Sequence, residues 1–252
     1  MAKLPPIVTE KLSALSPSTA GLYARWLIKF YAHSLTPLSR VRRDDVYSFL
    51  VSLANARCSA SYQNTALSAL RWLVSATGQD VDLSGLFAKR PQRLPLAATP
   101  AEATELLGHL RGEAKLVVSL VYGSGLTLSE AVNLRADQLL PKAGRIQVTP
   151  DRVTVLPKSL RDPLQLSAML ASGPRLFAVS ALTVHRALQR AHRAAGLSRP
   201  IGTRELRFGF AARLLEQGET IVKVQRMMGY RSLDTLLKIQ DQIKPRPASP
   251  LG

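Results

Sequence analysis

A chain of 252 residues, 46% of them hydrophobic, is long enough to build two cores of ordinary size. Its 34 Lys and Arg stand against 17 Asp and Glu, giving a net charge of +17 and a pI near 10.8, which points to a polyanionic partner. One cysteine, Cys58, excludes an internal disulfide, and the chain has neither a lipidation motif nor the run of about eighteen apolar residues that a membrane span needs.

The basic excess is shared, +7 up to Arg93 and +10 beyond it, which suits a two-domain clamp on duplex DNA better than a basic tail on a neutral body. The aromatic sheet signatures of single-strand RNA readers are absent. The first residues, Met1-Ala2-Lys3-Leu4-Pro5-Pro6, have no apolar signal core, so a cytoplasmic, nucleoid-associated protein is expected.

In chain order, Ser16 or Ser18 caps a helix in which Leu22, Trp26, Leu27, Phe30 and Tyr31 recur at three- and four-residue spacing. A second helix begins near Asp44 with Val46, Phe49, Leu50 and Leu53, and a third from Ser59 with Tyr62, Leu67, Leu70 and Leu73. Residues 1–88 thus read as a small helical bundle. Tyr23, Tyr31, Tyr47, Tyr62 and Tyr122 fall on helix faces, where core packing is the expected role. Arg42 and Arg43, with Arg40, cluster at a helix entry, either to reach a DNA backbone or as a solvated charge cluster. Arg71 is a surface charge that is also a candidate DNA contact.

Residues 89–100 hold three prolines, Lys89, Arg90 and Arg93, and no acidic residue, so an extended basic linker that tracks the duplex is expected rather than a packed element. The second domain, 101–242, opens with a helix from Pro100 through Leu110, an apolar helix Leu116 to Tyr122 and a helix Ser129 to Leu134. Strands Arg145 to Val148 and Arg152 to Leu156 flank a tight turn. Thr183 to Gly196 is a cationic helix with Arg186, Arg190 and Arg193 on one face and Val184, Leu188 and Ala191 on another. His185 and His192 lack companions at ligand spacing, so neither a metal nor a cofactor is expected. The tail, 243–252, is Pro-rich.

Three stretches carry a resemblance: Tyr122-Gly123-Ser124-Gly125-Leu126-Thr127-Leu128-Ser129-Glu130, Arg204-Glu205-Leu206-Arg207-Phe208 and Met227-Met228-Gly229-Tyr230-Arg231. They resemble the catalytic signature of the tyrosine recombinases, and among these the chain is most similar to the integron integrases. The family implies a mainly α fold with a small β-hairpin, in which a helical core-binding domain, here residues 1–88, and a catalytic-type domain grip DNA. It also implies a His-x-x-Arg-His box, a first arginine before the Ser-Glu pair, a hairpin lysine, and a nucleophilic tyrosine nine residues past a Gly-His element.

At those positions this chain has Thr127 for the first arginine, Arg204 and Phe208 for the two box histidines, Tyr230 for the later histidine and Ile239 for the nucleophile, and its hairpin turn is too short for the lysine. Each preorganised donor is worth roughly 3 kcal/mol to such a transition state. The substitutions therefore lead to the expectation of a catalytically inactive, site-specific DNA-binding protein. It would act as architectural partner or regulator of a mobile element beside an active recombinase or transposase, as monomer or dimer on DNA. The alternative is an active recombinase with a non-standard nucleophile such as Tyr230. The resemblance implies that Arg207 faces a phosphate and that the Arg186 helix enters the major groove, with Arg204 and Arg231 as further DNA contacts.

Overall fold

The computed structural model describes residues 4–89 and 95–243, which are mainly helical with one small antiparallel sheet. They belong to two units, Met1–Gln92 and Arg93–Gly252. The linker candidates Arg90 and Arg93, and the tail beyond Ile243, lie outside the described residues.

Four helices build the first unit: α1 Pro6–Ser13, α2 Pro17–Ser34, α3 Arg43–Asn55 and α4 Ala60–Ala76. Ser16 and Ser59 cap α2 and α4, their side chains accepting the N–H of Thr19 at 3.4 Å and of Tyr62 at 3.2 Å. The apolar stripes of α2, α3 and α4 meet in one core around Leu27, Phe30, Val46, Phe49, Leu67, Leu70 and Leu73. Helix α1, which the periodicity does not anticipate, adds Val8 and Leu12 to it.

Three of the five tyrosines expected in the cores depart from that expectation, while Tyr23 and Tyr122 pack against those cores. Tyr31, Tyr47 and Tyr62 are exposed, whereas Tyr23 and Tyr122 are partly buried. Tyr62 shows why: its ring packs edge-on to Trp26 at 4.5 Å while its hydroxyl accepts from Lys29 Nζ at 2.8 Å, so the apolar body covers the core and the polar tip stays wet.

The second unit runs α5 Pro100–Gly108, α6 Gly112–Ser124, α7 Leu128–Val132, then strands β1 Leu139–Leu140, β2 Arg145–Thr149 and β3 Arg152–Val155 in the order β1-β2-β3. Helices α8 Arg161–Leu170, α9 Ala181–Ala194, α10 Thr203–Glu216, α11 Ile221–Met228 and α12 Asp234–Ile243 follow. Strand β1 and helix α8 are additions to the expected elements. Helix α10 packs against α6 and α12, and α11 lies along β3. One core forms around α6, the sheet and α9, and a second joins α10, α11 and α12.

The end of the expected linker is packed, against the sequence expectation. Ala98 is buried, and its N–H donates to the Glu205 carbonyl of α10 at 2.9 Å. Arg199 ties the same segment down, donating to the Ala97 carbonyl at 2.7 Å and to both oxygens of Glu102. Backbone meets backbone so closely that a Cβ on Gly209 would lie 2.5 Å from the Ala98 carbonyl oxygen. Gly209→Ala is therefore expected to lower the free energy of unfolding by about 1–3 kcal/mol, read as a shift in the urea midpoint, because the neighbour it strikes is main chain that cannot rotate away.

Candidate phosphate pocket and nucleic-acid face

Helices α6 and α11 both stop on a left-handed glycine, Gly125 at φ 69° and Gly229 at φ 67°. A helix end of this kind leaves carbonyls without intrahelical partners and concentrates partial negative charge. Arginines answer both ends. Arg207, on α10, donates from Nε to the Gly125 carbonyl at 2.9 Å and from Nη2 to the Met228 carbonyl at 3.0 Å. Arg152, first residue of β3, donates from Nε to the Met227 carbonyl at 2.9 Å. Arg213 reaches the Tyr122 carbonyl at 2.7 Å, and the Thr154 hydroxyl takes that of Ser124 at 2.6 Å.

Tyr230 follows Gly229 and sits beneath Arg207, whose guanidinium carbon is 5.3 Å from the ring centre. Burial raises the pKa of Tyr230, while the guanidiniums of Arg207, Arg152 and Arg204 pull against that rise. The hydroxyl is thus a neutral donor set among three cations. Burial also lowers the pKa of Arg207, with Arg152 acting in the same direction. An arginine still keeps its proton in a protein, so the pocket holds its charge.

Thr127 is the N-cap of α7. Its hydroxyl accepts the Glu130 N–H at 3.1 Å while its own N–H donates to Glu130 Oε2 at 2.7 Å, the reciprocal arrangement that a Thr-x-x-Glu sequence favours. The other oxygen, Glu130 Oε1, pairs with Arg152 Nη1 at 2.5 Å. Burial opposes the charge on Glu130, but the Thr127 hydrogen bonds and Arg152 outweigh it and hold the carboxyl below its ordinary value.

Phe208 and Ile239, the two apolar residues expected at recombinase positions, are buried in one cluster with Met228 and Leu236. Arg204 is exposed, pairs with Glu205 at 3.3 Å and lies 5.7 Å over the Phe208 ring. Arg231 is exposed beside Tyr230.

On α9 the three expected arginines, Arg186, Arg190 and Arg193, are all exposed, and among the described residues none has an acidic partner. Ser180 caps this helix, and Glu113 of α6 fixes its approach by accepting the N–H groups of Ala178 and Val179. In the first unit the candidates divide. Lys89 is exposed, but Arg42 forks onto Asp45 with two bonds of 3.0 Å, Arg43 binds the Asp82 and Ser84 carbonyls, and Arg71 binds the Leu83 carbonyl at 2.9 Å. These three spend donors on their own fold. Sequence reasoning missed Arg152 as a pocket residue, and the one signal available was a basic residue opening the second hairpin strand.

Residues 9–81 match the model of the phage integrase N-terminal SAM-like domain. An integrase/recombinase of Escherichia coli is 30% identical, covering 94% of this chain and 90% of its own length. The tyrosine recombinase XerA of Pyrococcus furiosus is 28% identical over 89% of this chain and 84% of its own. Among solved structures, the XerH site-specific recombinase bound to its difH substrate superimposes with a TM-score of 0.73 at 17% identity, covering 92% of this chain and 90% of that one. The expectation of a catalytically inactive chain is corrected by these relatives: those that match through both units are named as recombinases, which are enzymes. Among the described residues no helix is long and apolar enough to cross a membrane.

Because folding depresses the Glu130 pKa, its contribution to stability is present above the carboxylate's unfolded value of about 4.3 and is lost as pH falls through the lower folded value. Acid should lower the urea midpoint of the wild type in that window more than that of Glu130→Gln; equal acid sensitivity would show that the carboxylate is not held by this network.

Proposed function

The chain belongs to the tyrosine recombinase family, and on that premise we propose that it binds duplex DNA in site-specific recombination, seating a backbone phosphate over Arg207 and Tyr230. The observation that carries this reading is Arg207: a half-buried guanidinium fixed between two helix ends by main-chain carbonyls, with no carboxylate of its own among the described residues. Its charge is left for an incoming anion, and a hydroxyl donor stands beside it. The exposed arginines of α9 supply the second part, a face that contacts the duplex from outside the pocket.

The test is duplex binding followed by fluorescence anisotropy across a salt series. Replacing Arg186, Arg190 or Arg193 singly by alanine should weaken binding to all sequences and reduce the salt slope by about one unit. Loss confined to one sequence would instead identify a base contact. Absence of salt-dependent duplex binding by the wild type would refute the reading.

A second reading, phosphoryl transfer through Tyr230, is favoured by the Arg207 guanidinium that stands over its ring, 5.3 Å from the ring centre. Attack of Tyr230 Oη on phosphorus would form a phosphotyrosyl ester and release one sugar oxygen as a hydroxyl. On a duplex nicked beside the target phosphate, a covalent protein-DNA adduct is expected from the wild type and none from Tyr230→Phe. An adduct that survives the substitution would place the nucleophile elsewhere.

A further inference from the structure

Arg152 is held in place by three neighbours. Its Nε bonds the Met227 carbonyl, its Nη1 bonds Glu130 Oε1, and its planar head lies against Gly229, where a Cβ would stand 2.9 Å from Nη1 and 3.0 Å from Cζ. Glycine at 229 is therefore what leaves room for this guanidinium, on the residue between Met228, whose carbonyl holds Arg207, and Tyr230. The side chain is only 11% exposed, and its Nη2 is buried without a hydrogen-bond partner. An unmade bond on a buried charged donor is costly, and the usual answer is a ligand or ordered water. Glu130 also caps Thr127, so the same carboxylate links Arg152 to the residue that resembles the family's first-arginine position.

We propose that Arg152 is a phosphate-binding side chain of this pocket, supplying from β3 the guanidinium that Thr127 does not supply from the cap of α7. The inference rests on the duplex-binding reading above and deepens it. With Arg207 and Arg152 against Glu130 alone, the pocket keeps one net positive charge, and the fork of Arg152 is already oriented by two fixed bonds. Arg152 also bridges β3, α7 and α11, so a purely structural role is the competing account.

The experiment measures salt-dependent duplex anisotropy on the full chain for the wild type, Arg152→Gln, Arg152→Lys and Glu130→Gln, each checked for folding by thermal melting. As a phosphate ligand, Arg152→Gln lowers the salt slope by about one unit, Arg152→Lys restores it, and Glu130→Gln, by removing the competing carboxylate, binds the duplex several-fold more tightly. A folded Arg152→Gln with wild-type slope and affinity overturns the proposal. Should Arg152→Gln fail to fold, the double variant Arg152→Met with Glu130→Gln, which removes the pair together, decides: a salt slope about one unit below that of Glu130→Gln supports phosphate binding by Arg152, and an equal slope overturns it. A wild type without salt-dependent binding overturns both this proposal and the functional reading, whereas wild-type binding with an unaltered Arg152→Gln overturns this one alone.

Discussion

The second unit is organised by the need to satisfy the carbonyl ends of two helices that converge on one spot. Helices α6 and α11 stop on Gly125 and Gly229, and the carbonyls of Tyr122, Ser124, Gly125, Met227 and Met228 are each taken by a side chain from another element: Arg213, Thr154, Arg207 twice and Arg152. A Cβ at Gly125 would strike the Phe210 ring at 2.5 Å and the Met228 sulfur at 2.8 Å, so the glycine serves both the left-handed backbone and the approach of α6 to α10 and α11. The pocket is the by-product of this convergence: to complete the helix ends, the fold must bring guanidiniums to one place.

That arrangement explains how so much positive charge is tolerated away from bulk water. Carbonyl dipoles at helix C-termini stabilise cations without neutralising them, unlike a carboxylate, which would cancel the charge a phosphate needs. Arg199 illustrates the other case: both Glu102 oxygens and the Ala97 carbonyl occupy its fork, and the result is a structural tie with no charge to spare. Phe208 and Ile239 complete the picture from the apolar side, since both are absorbed into the core that supports α11 and thereby the Met227 and Met228 carbonyls. Both therefore belong to the packed floor beneath the guanidiniums rather than to the groups that face outward.

Much of this was legible in the sequence where the cause is local. Ser16 and Ser59 announce helix starts, and the α9 arginines fall on one face because their spacing is helical. The pocket's cation net was not legible beyond Arg207, because Arg152 meets Met227 across 75 residues and Glu130 across 22, and no periodicity encodes such a meeting. Exposure of Tyr62 was misjudged for a related reason: helical spacing places it on the core-facing side, but its hydroxyl accepts from Lys29 at the surface. Arg42 and Arg43 looked like free charges at a helix entry, but Arg42 pairs with Asp45 three residues on, and Arg43 meets the Asp82 and Ser84 carbonyls across 39 and 41 residues, which only the folded chain makes evident. Inactivity inferred from position-by-position replacement failed as well, because the likeness to named recombinases runs through both units.

The two sets of arginines meet a polyanion in physically different ways. On α9 the arginines are exposed, so on the proposed reading each contributes counterion release and little positional information. Arg207 and Arg152 have already lost their freedom to main-chain bonds, so a phosphate that reaches them is ordered without a further entropic cost to the protein. Diffuse attraction by the outer face followed by docking of a single phosphate in a preorganised pocket is the division of labour that recombination at a defined bond requires. On the proposed reading, the outer contacts bring the duplex near in any register and the pocket sets which phosphate is held.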